Sequence, residues 1–143
     1  MSFANPPFEA IADLLRSART IAVLGLSGDP TRPSHRVARA MRRLGYRIIP
    51  INPRLRSWEG IDAVDTLDAA YRALAPGERI DIVDVFRRPE HVAAIVDDCI
   101  RLQVPTLWLQ VGVVDERAAR RAQDAGIGVV MDRCIYVDRA ALE

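Results

Sequence analysis

Two hydrophobic patterns alternate along the chain, and their alternation sets the expected fold class. Residues 8–18 carry Phe8, Ile11, Leu14 and Leu15 at helical spacing, behind Pro7, a residue suited to a helix start. Residues 20–26, TIAVLGL, are apolar without alternation, as in a strand buried on both faces. A loop of turn formers follows over residues 27–33. Ser34 is then placed to cap a helix whose stripe is Val37, Met41 and Leu44 and whose end is Gly45. Residues 46–51, YRIIPI, predict a second strand. Pro50 inside it points to an edge position or an irregular end, because proline cannot donate to a ladder.

The pattern is weakest over residues 54–65, where it suggests only a short strand near residues 61–64. Thr66 opens a helix bearing Leu67, Ala70, Tyr71 and Leu74, stopped by Pro76-Gly77. Residues 80–86, IDIVDVF, predict the third clear strand, and Pro89 opens a helix with Val92, Ile95, Val96 and Cys99. TLWLQ at residues 106–110 is the fourth strand. Asp115 caps an alanine-rich helix ending at Gly126, and GVVMD at residues 128–132 is the fifth strand. With no repeat and no long linker, the chain reads as one α/β domain over residues 1–143. The expected form is three-layered: a doubly wound parallel sheet of about five strands, helices on both faces, strand order 2-1-3-4-5. Ligands in such sheets bind at the carboxyl ends of the strands, where the order reverses.

Composition narrows the chemistry. All 20 basic residues are arginine, which excludes a P-loop lysine and a Schiff-base amine. His35 and His91 are the only imidazoles and Cys99 and Cys134 the only thiols. No C-x-x-C pair or zinc-ligand spacing exists, so no metal site is expected. Two isolated thiols suit a reducing compartment. The net charge of +1 gives no support for nucleic-acid binding, and no apolar run is long enough for a bilayer. The opening residues lack the charged and apolar regions of a signal peptide, so a cytoplasmic globule is expected.

The strand-end rule then lists candidates: Gly25, Leu26, Ser27 and Gly28; Asn52 and Pro53; Phe86, Arg87 and Arg88; Gln110, Val111 and Gly112; Asp132, Arg133 and Cys134. Gly25 and Gly28 permit close backbone approach just before a helix N-terminus, which suits a phosphate. The dinucleotide fingerprint G-x-G-x-x-G is absent. The second strand ends in uncharged Asn52-Pro53 where NAD sites place an acid. With Arg32 and Arg54 nearby, this end better suits a phosphorylated ribose. Arg87 and Arg88 could grip phosphate oxygens in two-pronged fashion, or one of them could pair with Asp84.

IAVLGLS, RPSHRVARAMRRLGYRIIPINP, DIVDVFRRPE, LWLQVGV and VVMDRC, in this order and spacing, resemble the small bacterial CoA-binding proteins. These have a Rossmann-like fold similar to the CoA-binding domain of the succinyl-CoA synthetase alpha subunit. The resemblance spans roughly residues 8–138 and implies a single domain that takes coenzyme A or an acyl-CoA as cofactor. It implies Gly25, Leu26 and Ser27 near the diphosphate, and Arg32 and Ser34 at the entry to the first crossover helix. Asn52 and Pro53 would lie near the adenosine end. Phe86, Arg87 and Arg88 would form the loop after the third strand, and Gln110, Val111 and Gly112 would lie near the diphosphate or pantetheine arm. It does not supply an enzyme, because the synthetase's phosphohistidine domain has no counterpart here.

Other residues have plainer readings. His35 is expected as a solvated helix-start residue and His91 as structural. Cys99 belongs to the core, and Trp58 and Trp108 to packing. Asp84 and Asp132 are expected in ion pairs or backbone caps. Cys134 reads as a small buried residue, with a mixed disulfide to a CoA thiol as its sharper reading. The expectation is a non-catalytic, regulatory or carrier module for a small nucleotide ligand, with a protein partner or homo-oligomer left open. The alternative is an NADP-dependent oxidoreductase or a small acyl-CoA enzyme using Cys134 or an aspartate.

Overall fold

In a computed structural model of the chain, residues 2–142 are described. The elements in order are α1 (Phe8–Ser17), β1 (Thr20–Leu24), α2 (Pro33–Arg43), β2 (Arg47–Ile51), β3 (Ser57–Trp58), β4 (Ile61–Asp62) and α3 (Leu67–Arg72). There follow β5 (Ile82–Val85), a 3-10 turn (Pro89–His91), α4 (Val92–Leu102), β6 (Thr106–Leu109), α5 (Glu116–Asp124), β7 (Gly128–Met131) and α6 (Ile135–Ala140). The five main strands form one parallel sheet in the order β2-β1-β5-β6-β7, which is the expected 2-1-3-4-5. The order reverses between β1 and β5.

Two cores flank the sheet, which explains why its strands read as unbroken apolar runs. One face packs Ala22, Val83, Val85, Leu107, Leu109 and Val129 against α3, α4 and α5. The other packs Ile21, Val23, Ile82, Trp108 and Val130 against α1, α2 and α6. Cys99 lies in the first core and Trp58 and Trp108 in the second, as packing residues. Burial pushes the Cys99 thiol up to about 12, so it is inert as a nucleophile.

Pro50 lies in edge strand β2, and its carbonyl accepts from Val64 N–H on the outer side. The position that lacks an N–H therefore faces away from β1, where no ladder bond is lost. At the opposite edge, Asn5 brackets Met131 of β7, donating to its carbonyl at 2.9 Å and accepting from its N–H at 2.8 Å. Both exposed rows are thus partly filled.

Three features depart from the sequence reading. Residues 57–62 form a small antiparallel hairpin, closed by Glu59 and Gly60 at φ +51° and +80°. Positive φ at both central residues is the two-residue turn matched to strand twist. The sequence offers glycine at only one of them, so the signal is faint. Helix α6 carries Ile135, Tyr136 and Val137 in a row, with no helical periodicity to betray it. Helix α2 also starts two residues early. Arg32 is its N-cap and Pro33 its first residue, so Ser34 lies inside the first turn and does not cap it.

Candidate functional site

The carboxyl ends of β1, β2 and β5 meet around the first loop. Gly25 ends β1 at φ +88°, and its N–H donates to Ile51 of β2 at 2.9 Å. A Cβ there would stand 2.9 Å from Arg87 Cδ and inside contact distance of the Phe86 carbonyl. Glycine is therefore required twice, by conformation and by close approach. This contact lies at the point where strand order reverses, between β1 and β5.

The next two peptides are held from three directions. The Leu26 carbonyl accepts from Asn52 Nδ2 at 3.0 Å. Ser27 N–H donates to Ser34 Oγ at 3.0 Å, and the Ser27 carbonyl accepts from His35 Nδ1 at 2.9 Å. Ser27 Oγ accepts from Asp29 N–H at 3.0 Å, and Asp29 in turn accepts from Thr31 N–H at 2.9 Å. Those Thr31 bonds hold the Asp29 carboxyl below its usual range. Among the described residues, nothing accepts from the N–H groups of Leu26 and Gly28. The loop is thus fixed while two of its donors stay unspent, that of Gly28 exposed and that of Leu26 fully buried.

Among the described residues the guanidiniums of Arg54 and Arg87 have no side-chain partner, while that of Arg32, at the end of the loop, lies within electrostatic reach of the Asp29 carboxylate. Arg88 is exposed and pairs loosely with Glu90 at 3.8 Å. Asn52 is half-buried and Pro53 exposed; besides Leu26, Asn52 serves Arg54 N–H at 2.9 Å. Phe86 packs partly on the α1-α2-α6 core.

The ends of β6 and β7 present a different surface. Gln110 is 4% exposed, and its Oε1 accepts from Ile135 N–H at the start of α6, 3.1 Å away. Asp132, at φ +62°, accepts from Gly112 N–H at 2.8 Å, the backbone-cap role expected of it. Arg133 makes a two-pronged pair with buried Asp138 at 2.7 and 2.9 Å, which raises its pKa. Cys134 is half-buried at the N-cap of α6. Val111 and Gly112 are exposed, Val111 at 67%.

Two sequence expectations are corrected. Asp84 meets no arginine and caps nothing. It is 1% exposed in central strand β5, between Val23 and Trp108 in register, and its Oδ1 lacks a partner among the described residues. Burial pushes its carboxyl well above the usual range. His35 is not solvated. It is 5% exposed, because its ring turns inward to the Ser27 carbonyl and packs edge-on against Trp58. His91 is exposed at the end of the 3-10 turn.

Residues 19–140 match the CoA binding domain family. The chain belongs to that family. The CoA-binding domain is similar to the uncharacterized protein YneT of Bacillus subtilis, 38% identical over 136 residues, covering 95% of this chain and 96% of that one. Among solved structures it resembles cell-free ID.343 from Thermus thermophilus, with TM-score 0.85, 37% identity, 96% of this chain and 100% of that chain. It also resembles a hypothetical protein from Pyrococcus horikoshii, with TM-score 0.84, 25% identity and 99% of both chains. The Rossmann-like fold and the family read from the five sequence motifs are therefore those of the CoA-binding domain. No helix among the described residues is long and apolar enough to cross a membrane.

Proposed function

We propose that the chain binds coenzyme A or an acyl-CoA at the β1-β2-β5 strand ends, as a non-catalytic module. The observation that carries this reading is an exposed, unspent backbone donor, Gly28 N–H, on a rigidly held loop beside the uncommitted guanidiniums of Arg54 and Arg87. Their chemistry fits the ligand. A diphosphate takes backbone N–H groups and a guanidinium, here those of exposed Gly28 and of Arg87. A ribose 3′-phosphate takes a fixed cation; Arg54 follows the uncharged β2 end at Asn52-Pro53, and Arg32 is the N-cap residue of α2. Phe86 and Leu55, both partly buried, offer apolar surface to the adenine. Exposed Val111 and Val114 offer it to the pantetheine arm.

A binding rather than a catalytic role is supported by how the polar groups are used. Ser27 Oγ accepts from a backbone N–H, and the nearby imidazole serves the Ser27 carbonyl instead of the hydroxyl. When bound, the cofactor would carry an acyl group on its thiol, and the chain's own task is to hold the nucleotide end. Such a module suits a cytoplasmic regulator or carrier working with a protein partner or a second copy.

Isothermal titration with CoA, dephospho-CoA and NADP tests the reading. CoA should bind, and dephospho-CoA about tenfold more weakly, the loss of one charge-assisted phosphate contact. NADP binding equal to or tighter than CoA, or no binding of CoA, would overturn it.

A further inference from the structure

The first loop is held from the α2 side by a histidine that the ligand need not touch. His35 Nδ1 donates to the Ser27 carbonyl at 2.9 Å. Its Nε2 accepts from Arg39 Nη2 at 3.2 Å, a group that can only donate. A carbonyl can only accept, so Nδ1 carries a proton, and Nε2 lies between Arg39 and the Glu59 carboxylate, 3.8 Å from Oε2. The ring is 5% exposed and meets Trp58 edge-on at 5.9 Å between centroids.

The hairpin of β3 and β4 keeps this arrangement in place. Glu59, at its turn, accepts from Arg39 Nη2 at 3.1 Å, and the Glu59 carbonyl accepts from Arg42 Nη1 at 3.2 Å. Arg42 also lies 5.9 Å over the Trp58 ring. Hairpin and helix α2 therefore grip each other around His35.

A trans peptide is planar, with its C=O and N–H pointing in opposite directions. The Ser27 carbonyl points to His35, so the Gly28 N–H on the same peptide points away from His35. This N–H is one of the two unspent donors of the loop. Gly28 itself has little intrinsic preference for any one backbone conformation. Something else must aim its amide.

We propose that His35 is a positioning residue: through the Ser27 carbonyl it aims the Gly28 N–H at the ligand's phosphate. The hairpin 57–62 sets the ring, the ring sets the peptide, and the peptide presents the donor. This rests on the CoA-binding reading above for the identity of the phosphate, but the aiming of the Gly28 amide does not.

Three variants separate this role from packing. The amide nitrogen of His35→Asn stands close to where Nδ1 stood and can still donate to the Ser27 carbonyl. That of His35→Gln stands nearer the Nε2 position, and His35→Ala has no donor. All three lose the ring contact with Trp58, so apo melting temperatures should fall alike. In amide NMR spectra of the apo proteins, the Gly28 resonance should stay a single sharp peak in wild type and His35→Asn. It should shift and broaden in His35→Ala and His35→Gln. CoA affinity should follow the same division, falling about tenfold in the latter two, the loss of one hydrogen bond to a charged group. An unchanged Gly28 resonance in His35→Ala would overturn the positioning role. So would a His35→Asn variant that binds CoA as weakly as His35→Ala. Wild-type protein that fails to bind CoA, with the Gly28 resonance divided as stated, would overturn the CoA reading and leave the aiming of the amide standing.

Discussion

The two halves of the strand-end edge are built from the same kinds of residue and offer opposite surfaces. Around β1, β2 and β5, side chains satisfy one side of the loop peptides and leave the exposed Gly28 N–H and the guanidiniums of Arg54 and Arg87 unspent. Around β6 and β7 the polar groups consume one another. Gln110 serves α6, Asp132 serves Gly112, and Arg133 closes on Asp138. Position at a strand end makes a residue available only if folding has not already given it a partner. Arg87 and Arg133 illustrate this: each follows a strand by two residues, yet only Arg87 is uncommitted.

The sharpest way to break this contrast is at the closest contact of the open half. Gly25→Val combines a disfavoured φ with a collision against the Phe86 carbonyl. It should cost roughly 3 kcal/mol in urea unfolding. A cost below about 1 kcal/mol would mean that the β1-β5 junction is loose. In the closed half, Arg133→Ala leaves the Asp138 carboxylate buried without its partner. It should cost roughly 2 kcal/mol, the partly exposed arginine moderating the full penalty of a broken buried pair. CoA affinity of the folded variant should stay within about twofold by titration.

The reverse is expected for Arg87→Ala. Stability should change by less than about 0.5 kcal/mol, while CoA affinity should fall about tenfold. If Arg133→Ala rather than Arg87→Ala weakened binding, the assignment of open and closed halves would be inverted.

Asp84 lies on β5, the strand of the open half that borders β6, and its contribution depends on pH. Its carboxyl, raised by burial above 3.8, keeps a proton in the native state that the unfolded chain releases above about pH 4. The native state then binds more protons than the unfolded one, so this group lowers stability as pH rises. Asp84→Asn should remove that slope. Chemical unfolding at pH 3 and pH 7 should find the variant gaining on wild type at the higher pH, by roughly 1 kcal/mol or more, the cost of one unsatisfied buried group. An equal difference at both pH values would mean that Asp84 is solvated.

Much of the fold was legible because its signals are local. Continuous apolar runs, helical stripes and Pro-Gly stops gave the main strands, their order and the reversal point. Local signals failed at α6, whose apolar residues are consecutive, and at the Glu59-Gly60 turn, half of whose chemistry is missing from the sequence. For the candidate site, the first loop was legible from its glycines and its place in the sheet. His35 was not, since nothing near it in sequence reveals Trp58 or Glu59 more than 20 residues away.

The sequence by itself determined the layered architecture, the family and the edge at which a ligand would sit, because periodicity and turn chemistry are properties of neighbouring residues. Only the tertiary structure decided which polar groups at that edge remain free. Asn52 with Leu26 and Gln110 with Ile135 are pairs separated by 26 and 25 residues. A hydrogen bond is spent or spare according to what the fold brings within about 3 Å, and chain order does not carry that distance.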